Sequence, residues 1–315
     1  MATSILEDSA VRSSTSPSQR LRTTMAAMRL SFTWFGVRKS LTTEQKAEAA
    51  EAFGAEGDVL SAGKRLINTK HPKYKAVTTL RNRALSYWKA LSLPFPEPGI
   101  RLVKQDHIDA IDSRMQAFKG ELLEQVDQLD FHYGELKRAA RIRLGRLYDE
   151  NDYPRSLVGL FDMCWDWPSV EPPPYLRQLS PSLYQEECRR VEARFDEAVR
   201  LAEDAFVEQL SQLVSHLTER LSGNEDGKPK IFRDSAVENL TTFFGRFREL
   251  NIRSSEQLDE LVAQAQSVVR GVQPQQLRED RTLRQRVATE LSGVGSVLDA
   301  LLIDRPRRNI LRRPR

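Results

Sequence analysis

From Asp106 onward the apolar residues Ile108, Ile111, Met115, Phe118, Leu122, Val126, Leu129, Tyr133, Leu136, Ala140, Leu144 and Leu147 succeed one another at steps of three or four. Such spacing keeps every apolar side chain on one narrow stripe of an α-helix, as in a coiled-coil seam. At a rise of roughly 1.5 Å per residue the helix would be about 60 Å long. A second run begins at Ser180, with Pro181 suited to the first helical turn. Val191, Phe195, Ala198, Ala202, Phe206, Leu210, Leu213, Leu217 and Leu221 repeat the spacing, and Gly223 follows as a C-cap candidate. Two seam helices of similar length joined by one connector pack most simply against each other. The expected fold is therefore all-α and elongated: a long antiparallel, coiled-coil-like hairpin over 105–223 projecting from a small helical base, with at most a minor β element. Seams can also pair between chains, so self-association is a second expectation.

The flanking segments supply the base, expected over 28–104 and 224–303. "MRLSFTWFGVRKS" suits one strand or a buried lead-in. Thr42 with Gln45 forms a capping-box pattern before an Ala-rich helix ending near Gly54. A short helix over 58–67 and a longer one from Pro72 to Leu91 follow, then "PFPEPGIRLVK" breaks the pattern and offers an extended piece. Beyond the polar loop "SGNEDGKPK", Ser235 with Glu238 and Ser254 with Gln257 mark two more capped helices, and Pro274 opens a last one. Residues 1–27 carry little apolar content at their start and are expected to be disordered.

Charge narrows the possible partners. The formal net charge is +4, yet the tail at 304–315 ends in "RPRRNILRRPR", which holds six arginines, so the rest of the chain is slightly acidic. A phosphate-binding role therefore rests on the tail, through Arg307, Arg308, Arg312 and Arg313. The same tail also reads as a protein-docking peptide anchored by Ile310 and Leu311, the reading favoured over phosphate binding, or as a solvated end. No apolar run approaches the roughly 18 residues of a membrane span. The N-terminus lacks the apolar core of a signal peptide, and two cysteines, Cys164 and Cys188, make no disulfide framework. A cytoplasmic location without membrane association is expected.

Motifs that carry chemistry are damaged or missing. "GDVLSAGKR" fails as a phosphate loop: five residues, not four, separate Gly57 from Gly63, and Arg65 stands where Ser or Thr must hold magnesium. "SGVGS" at 292–296 lies in a helical pattern, where close packing accounts for Gly293 and Gly295. His71, His107, His132 and His216 form no zinc spacing, and His132 would meet His216 only by accident of register. "NLT" at Asn239 falls in a helix. No cofactor, metal or catalytic residue is assigned.

The connector expected over 150–180 holds "GLFDMCWDWPSVEPPPYLRQLSP". Asp162 and Asp166 would share a helix face, and Cys164 would need a base nearby to act as a nucleophile. The prolines favour a stiff, extended bend. Trp165, Trp167 and Tyr175 then cap the hairpin or meet a partner.

The segments "SAGKRLINTKHPKY", "SLPFPEPGIRLV", "LKRAARIRLG", "VEARFDEAV" and "KPKIFRDSAVENLTTFFGRFRELNIRSSEQLDELV" resemble a family of bacterial, phage and plasmid proteins of unknown function. The resemblance spans roughly Leu30 to Gly271. Members often sit in gene clusters with a MoxR-type AAA ATPase and a von Willebrand A-domain protein, which implies an accessory role beside an ATPase. The family brings no catalytic residues. The expected function is a non-enzymatic scaffold or adaptor for such a partner. The alternative is a nucleic-acid-associated protein held by its arginine tail.

Overall fold

A computed structural model of the chain describes residues 15–222 and 234–303. The described residues form eleven α-helices and six strands, divided between two compact units.

The first unit gathers 15–27, 91–105, 169–222 and 234–303. Its spine is α7 (Pro181–Leu221), 41 residues long. The seam read from the sequence is its buried face: Val191, Phe195, Ala198, Ala202, Phe206, Leu210, Leu217 and Leu221 are all in the core, joined by Val207 and Val214. The face is covered from within the unit. Helix α11 (Arg281–Ile303) presents Val287, Leu291, Val294 and Leu298 at the same three-and-four spacing. Helices α8 (Ser235–Leu250) and α9 (Glu256–Val269) add Leu240, Phe243, Phe247, Leu261 and Ala265. Val214 lies 3.5 Å from where a Cβ on Gly295 would stand, an ordinary contact, and nothing lies near Gly293. The single last helix expected from Pro274 is two: α10 (Pro274–Glu279) ends at Asp280, whose carboxylate accepts the N–H groups of Thr282 and Leu283 and starts α11. Strands β4 (Ser92–Pro94) and β5 (Ile100–Lys104) pair antiparallel, with Leu93 opposite Leu102. Helix α6 (Leu176–Leu179) leads into α7.

The disorder expected over the N-terminal residues is corrected in part. Helix α1 (Pro17–Thr24) forms there, because Ser16 and Gln19 close a capping box and Leu21 is buried against α7. Residues 1–14 lie outside the described residues, as do Gly223 and the tail at 304–315.

The second unit comprises 28–90 and 106–168. Helix α3 (Pro72–Ala90) packs on α4 (Ile108–Phe131). Tyr74, Val77, Leu80, Ala84 and Trp88 face inward from α3, and Ile111, Met115, Phe118, Leu122, Val126 and Leu129 from α4. The first seam helix is not continuous. His132 interrupts it, and α5 (Tyr133–Leu144) carries the buried stripe on through Tyr133, Leu136 and Ala140. Helix α2 (Thr43–Glu51) has the expected Thr42–Gln45 capping box. The helix expected over 58–67 does not form. Strand β3 (Gly63–Arg65) takes its place and pairs antiparallel with β2 (Arg38–Ser40). A Cβ on Gly63 would come within 3.1 Å of the Lys39 carbonyl oxygen, so glycine lets the two backbones approach.

Strand β1 (Met25–Thr33), within which the chain passes from one unit to the next, pairs antiparallel with β6 (Asp162–Asp166). Leu30 stands opposite Trp165 and Ser31 opposite Cys164. Antiparallel strand pairs therefore stand in both units. This overturns the all-α hairpin. The two long helical segments belong to different units, each packed by its own neighbours, and a sheet replaces the expected minor β element. The connector is not a plain bend either. No proline falls between Pro154 and Pro168, which stands past the end of β6, and "DMCWD" is left free to form a strand.

Candidate functional site

A buried cluster of charge lies in the second unit, at the β2–β3 strand pair. Lys39 and Lys64 are direct cross-strand partners, so their side chains share a face of the strand pair. Asp152, in the 3-10 turn Glu150–Asp152, inserts between them. Its carboxylate is 0% exposed and the Lys64 side chain 5%. Lys39 Nζ donates to Asp152 Oδ1. Lys64 Nζ lies 2.6 Å from Oδ2 and donates to the Leu147 carbonyl oxygen at 2.7 Å. Burial alone would raise the Asp152 pKa; hydrogen bonding and charge from Lys39 and Lys64 outweigh it and hold the carboxyl below its ordinary value. The Lys39 ammonium is held above its ordinary value, first by its hydrogen bond to Asp152. Tyr153 next door stacks on Tyr148 at 4.9 Å and donates its hydroxyl to the Leu66 carbonyl oxygen at 2.8 Å. The lysine of the broken phosphate-loop pattern is thus a buried counter-ion to a carboxylate. Nothing in the sequence links Asp152 to residues so far upstream.

The residues singled out in the connector are distributed. Trp165 is half-buried and donates its indole N–H to Asp112 Oδ1 at 2.7 Å. Asp162 pairs with Lys119 at 3.1 Å, and Asp166 lies 3.9 Å from Arg29. Asp162 and Asp166 sit on one face of a strand rather than of a helix. Cys164 is exposed, its Sγ 3.0 Å from Ser31 Oγ across the strand pair. Trp167 is half-buried in the same unit. Tyr175 is 60% exposed and belongs to the first unit. The tail residues Arg307, Arg308, Ile310, Leu311, Arg312 and Arg313 lie outside the described residues.

His132 meets His71, not His216, with ring centroids 5.7 Å apart, and its Nδ1 is 3.5 Å from Glu135. No group of three or more His, Cys, Asp or Glu is arranged to hold a metal among the described residues. In the first unit Arg101 and Arg246 approach Ser92. Arg101 Nε donates to Ser92 Oγ at 2.7 Å, and Arg246 Nη1 to Gln209 Oε1 at 2.6 Å. Burial, and then the charge of Arg246, pull the Arg101 pKa down. A groove of about 320 Å³ runs between α8 and α9, lined by Thr241, Phe244, Gly245, Arg248, Gln266 and Arg270. No helix among the described residues is long and apolar enough to cross a membrane.

Set beside protein-family models, curated proteins and solved structures, the chain finds no match in any of the three.

Proposed function

We propose that the chain is a non-enzymatic scaffold or adaptor that binds protein partners in the cytoplasm, a MoxR-type AAA ATPase among them. The observation behind this reading is a cluster of exposed apolar side chains where α6 runs into α7. Tyr175 is 60% exposed, Leu179 77% and Leu183 40%, all within nine residues. Single exposed apolar residues are common on any protein, but three large ones in so short a stretch suit a protein contact. Tyrosine supplies rigid, amphipathic area of the kind that anchors interfaces. The resemblance to proteins encoded beside AAA ATPases supplies the class of partner.

The test uses the full chain, captured from its native host with nuclease present, beside a Tyr175→Ala/Leu179→Ser/Leu183→Ser variant and a chain ending at Asp304. An AAA ATPase retained by the first and lost by the variant supports the adaptor reading. The purified ATPase should then bind the wild-type chain and not the variant. Recovery dominated by nucleic-acid proteins that vanish with nuclease, and that depend on the tail, favours the second reading: attachment to nucleic acid through Arg307, Arg308, Arg312 and Arg313.

A further inference from the structure

The β2–β3 strand pair opposes like charge to like charge twice: Lys39 faces Lys64, and Arg38 faces Arg65. Opposed like charges destabilise a strand pair. Neighbouring residues point to opposite faces, so the lysines share one face and the arginines the other. The lysine face is closed by Asp152 and the Leu147 carbonyl. The arginine face is open. Both arginines are exposed, and neither forms an ion pair among the described residues. One strand pair thus carries two cation pairs, one with its anion supplied by the fold and one without.

We propose that Arg38 and Arg65 grip phosphate groups of a nucleic-acid backbone. Guanidiniums stand at the open positions and ammoniums at the closed ones, and the planar fork of arginine matches phosphate oxygens two at a time. No carboxylate reaches ion-pair distance of either arginine among the described residues: Asp152 is taken by the lysines and Glu48 by Arg146 at 2.7 Å. Two opposed guanidiniums without a counter-ion favour a polyanion, whose bound counterions are released on contact. Contacts to backbone alone carry no sequence preference. This surface is distinct from the arginine tail and independent of the adaptor reading.

The test is fluorescence anisotropy of the full chain with a labelled single-stranded DNA and its duplex, across roughly 50 to 200 mM salt. Arg38→Glu/Arg65→Glu should weaken binding at least about tenfold and flatten the slope of log affinity against log salt by about 2. The same difference should persist in chains ending at Asp304. Arg38→Gln/Arg65→Gln should also weaken binding while melting no lower than wild type, since it removes a repulsion. The proposal is overturned by unchanged affinity and slope, by a difference that disappears with the tail, or by a glutamine variant that melts earlier, which would make the arginines part of the fold. Displacement of the DNA by polyglutamate as readily as by unlabelled DNA would assign the surface to an acidic protein instead.

Discussion

Replacing Asp152 by Asn tests whether the carboxylate clamps the β2–β3 strand pair. The substitution keeps the shape and one acceptor but removes the charge between two lysines. Removing one partner of a buried pair costs about 3–5 kcal/mol, because the other charge stays buried and unpaired. Lys64 is in that position, with its side chain 5% exposed. Its contact with the Leu147 carbonyl survives and softens the loss, which places the cost near the low end, about 3 kcal/mol. The effect should be local. Leu41 N–H donates to the Ala62 carbonyl and Leu66 N–H to the Val37 carbonyl across the strand pair. Their hydrogen exchange should accelerate on the order of a hundredfold, at about 1.4 kcal/mol per tenfold. Adding Lys64→Met should restore protection to within about 1 kcal/mol, since an apolar replacement of a buried pair is often neutral. Exchange within about threefold of wild type, or no rescue by Lys64→Met, would refute the clamp, since a charge left buried cannot be that cheap. The pH dependence has a fixed sign. The folded pKa of Asp152 is depressed, so its stabilisation is fully present above the unfolded carboxyl value of about 3.9 and drains as pH falls through the folded value. The raised pKa of Lys39 works the other way: its share is present below the ordinary lysine range and is lost as pH rises through the folded value. Relative to wild type, Asp152→Asn should show no acid step.

Three further outcomes follow from the packing. Phe243 is fully buried and meets Phe206, Phe244 and Phe247; Phe243→Ala should cost the first unit about 3–5 kcal/mol in urea unfolding. Asp112→Ala and Trp165→Phe each remove one end of the 2.7 Å hydrogen bond, so a double-mutant cycle should return a coupling of about 1 kcal/mol, and additive effects would deny the bond any weight. Cys164 is exposed and Cys188 half-buried; iodoacetamide should label Cys164 first, with Cys164→Ser abolishing the fast phase seen by mass spectrometry.

Local periodicity made the helices legible, and its limits are equally physical. The α7 stripe could be read residue by residue because each buried position is fixed by the helix's own turn. What buries it could not be read: a stripe at three-and-four spacing is satisfied as well by α11 as by another seam helix. The break at His132 was invisible because its backbone, at φ −88° and ψ −1°, stays close enough to helical to keep Tyr133, Leu136 and Ala140 in phase. Strand β6 left a signal that the prolines masked. In "DMCWD", Met163 and Trp165 alternate with Asp162, Cys164 and Asp166, the period of a strand rather than of a helix. Helix α1 also announced itself through Ser16, Pro17 and Gln19, but with Leu21 alone in the core its composition read as disorder. The Asp152 clamp left no signal at all. A lysine and a carboxylate distant in sequence look like ordinary surface charges until the fold brings them together.

The two faces of the strand pair also explain why lysine and arginine are not interchangeable there. Lys64 occupies a slot with the Leu147 carbonyl and Asp152 at its end. A compact ammonium on a flexible stem fits that slot; a longer, planar guanidinium does not. Lys64→Arg keeps the charge, yet overpacking should cost about 1–3 kcal/mol. On the open face Arg65→Lys keeps charge and space but loses the fork. It should leave exchange at the strand pair unchanged and weaken DNA binding without altering the salt slope. Hydrogen exchange and anisotropy on the two single variants therefore separate the faces. Lys64→Arg must change the first measurement, and Arg65→Lys the second. If Lys64→Arg exchanges like wild type, the slot is not tight and Lys64 is held by charge alone. If Arg65→Lys binds DNA like wild type, the open face is a plain positive surface and the phosphate grip is wrong.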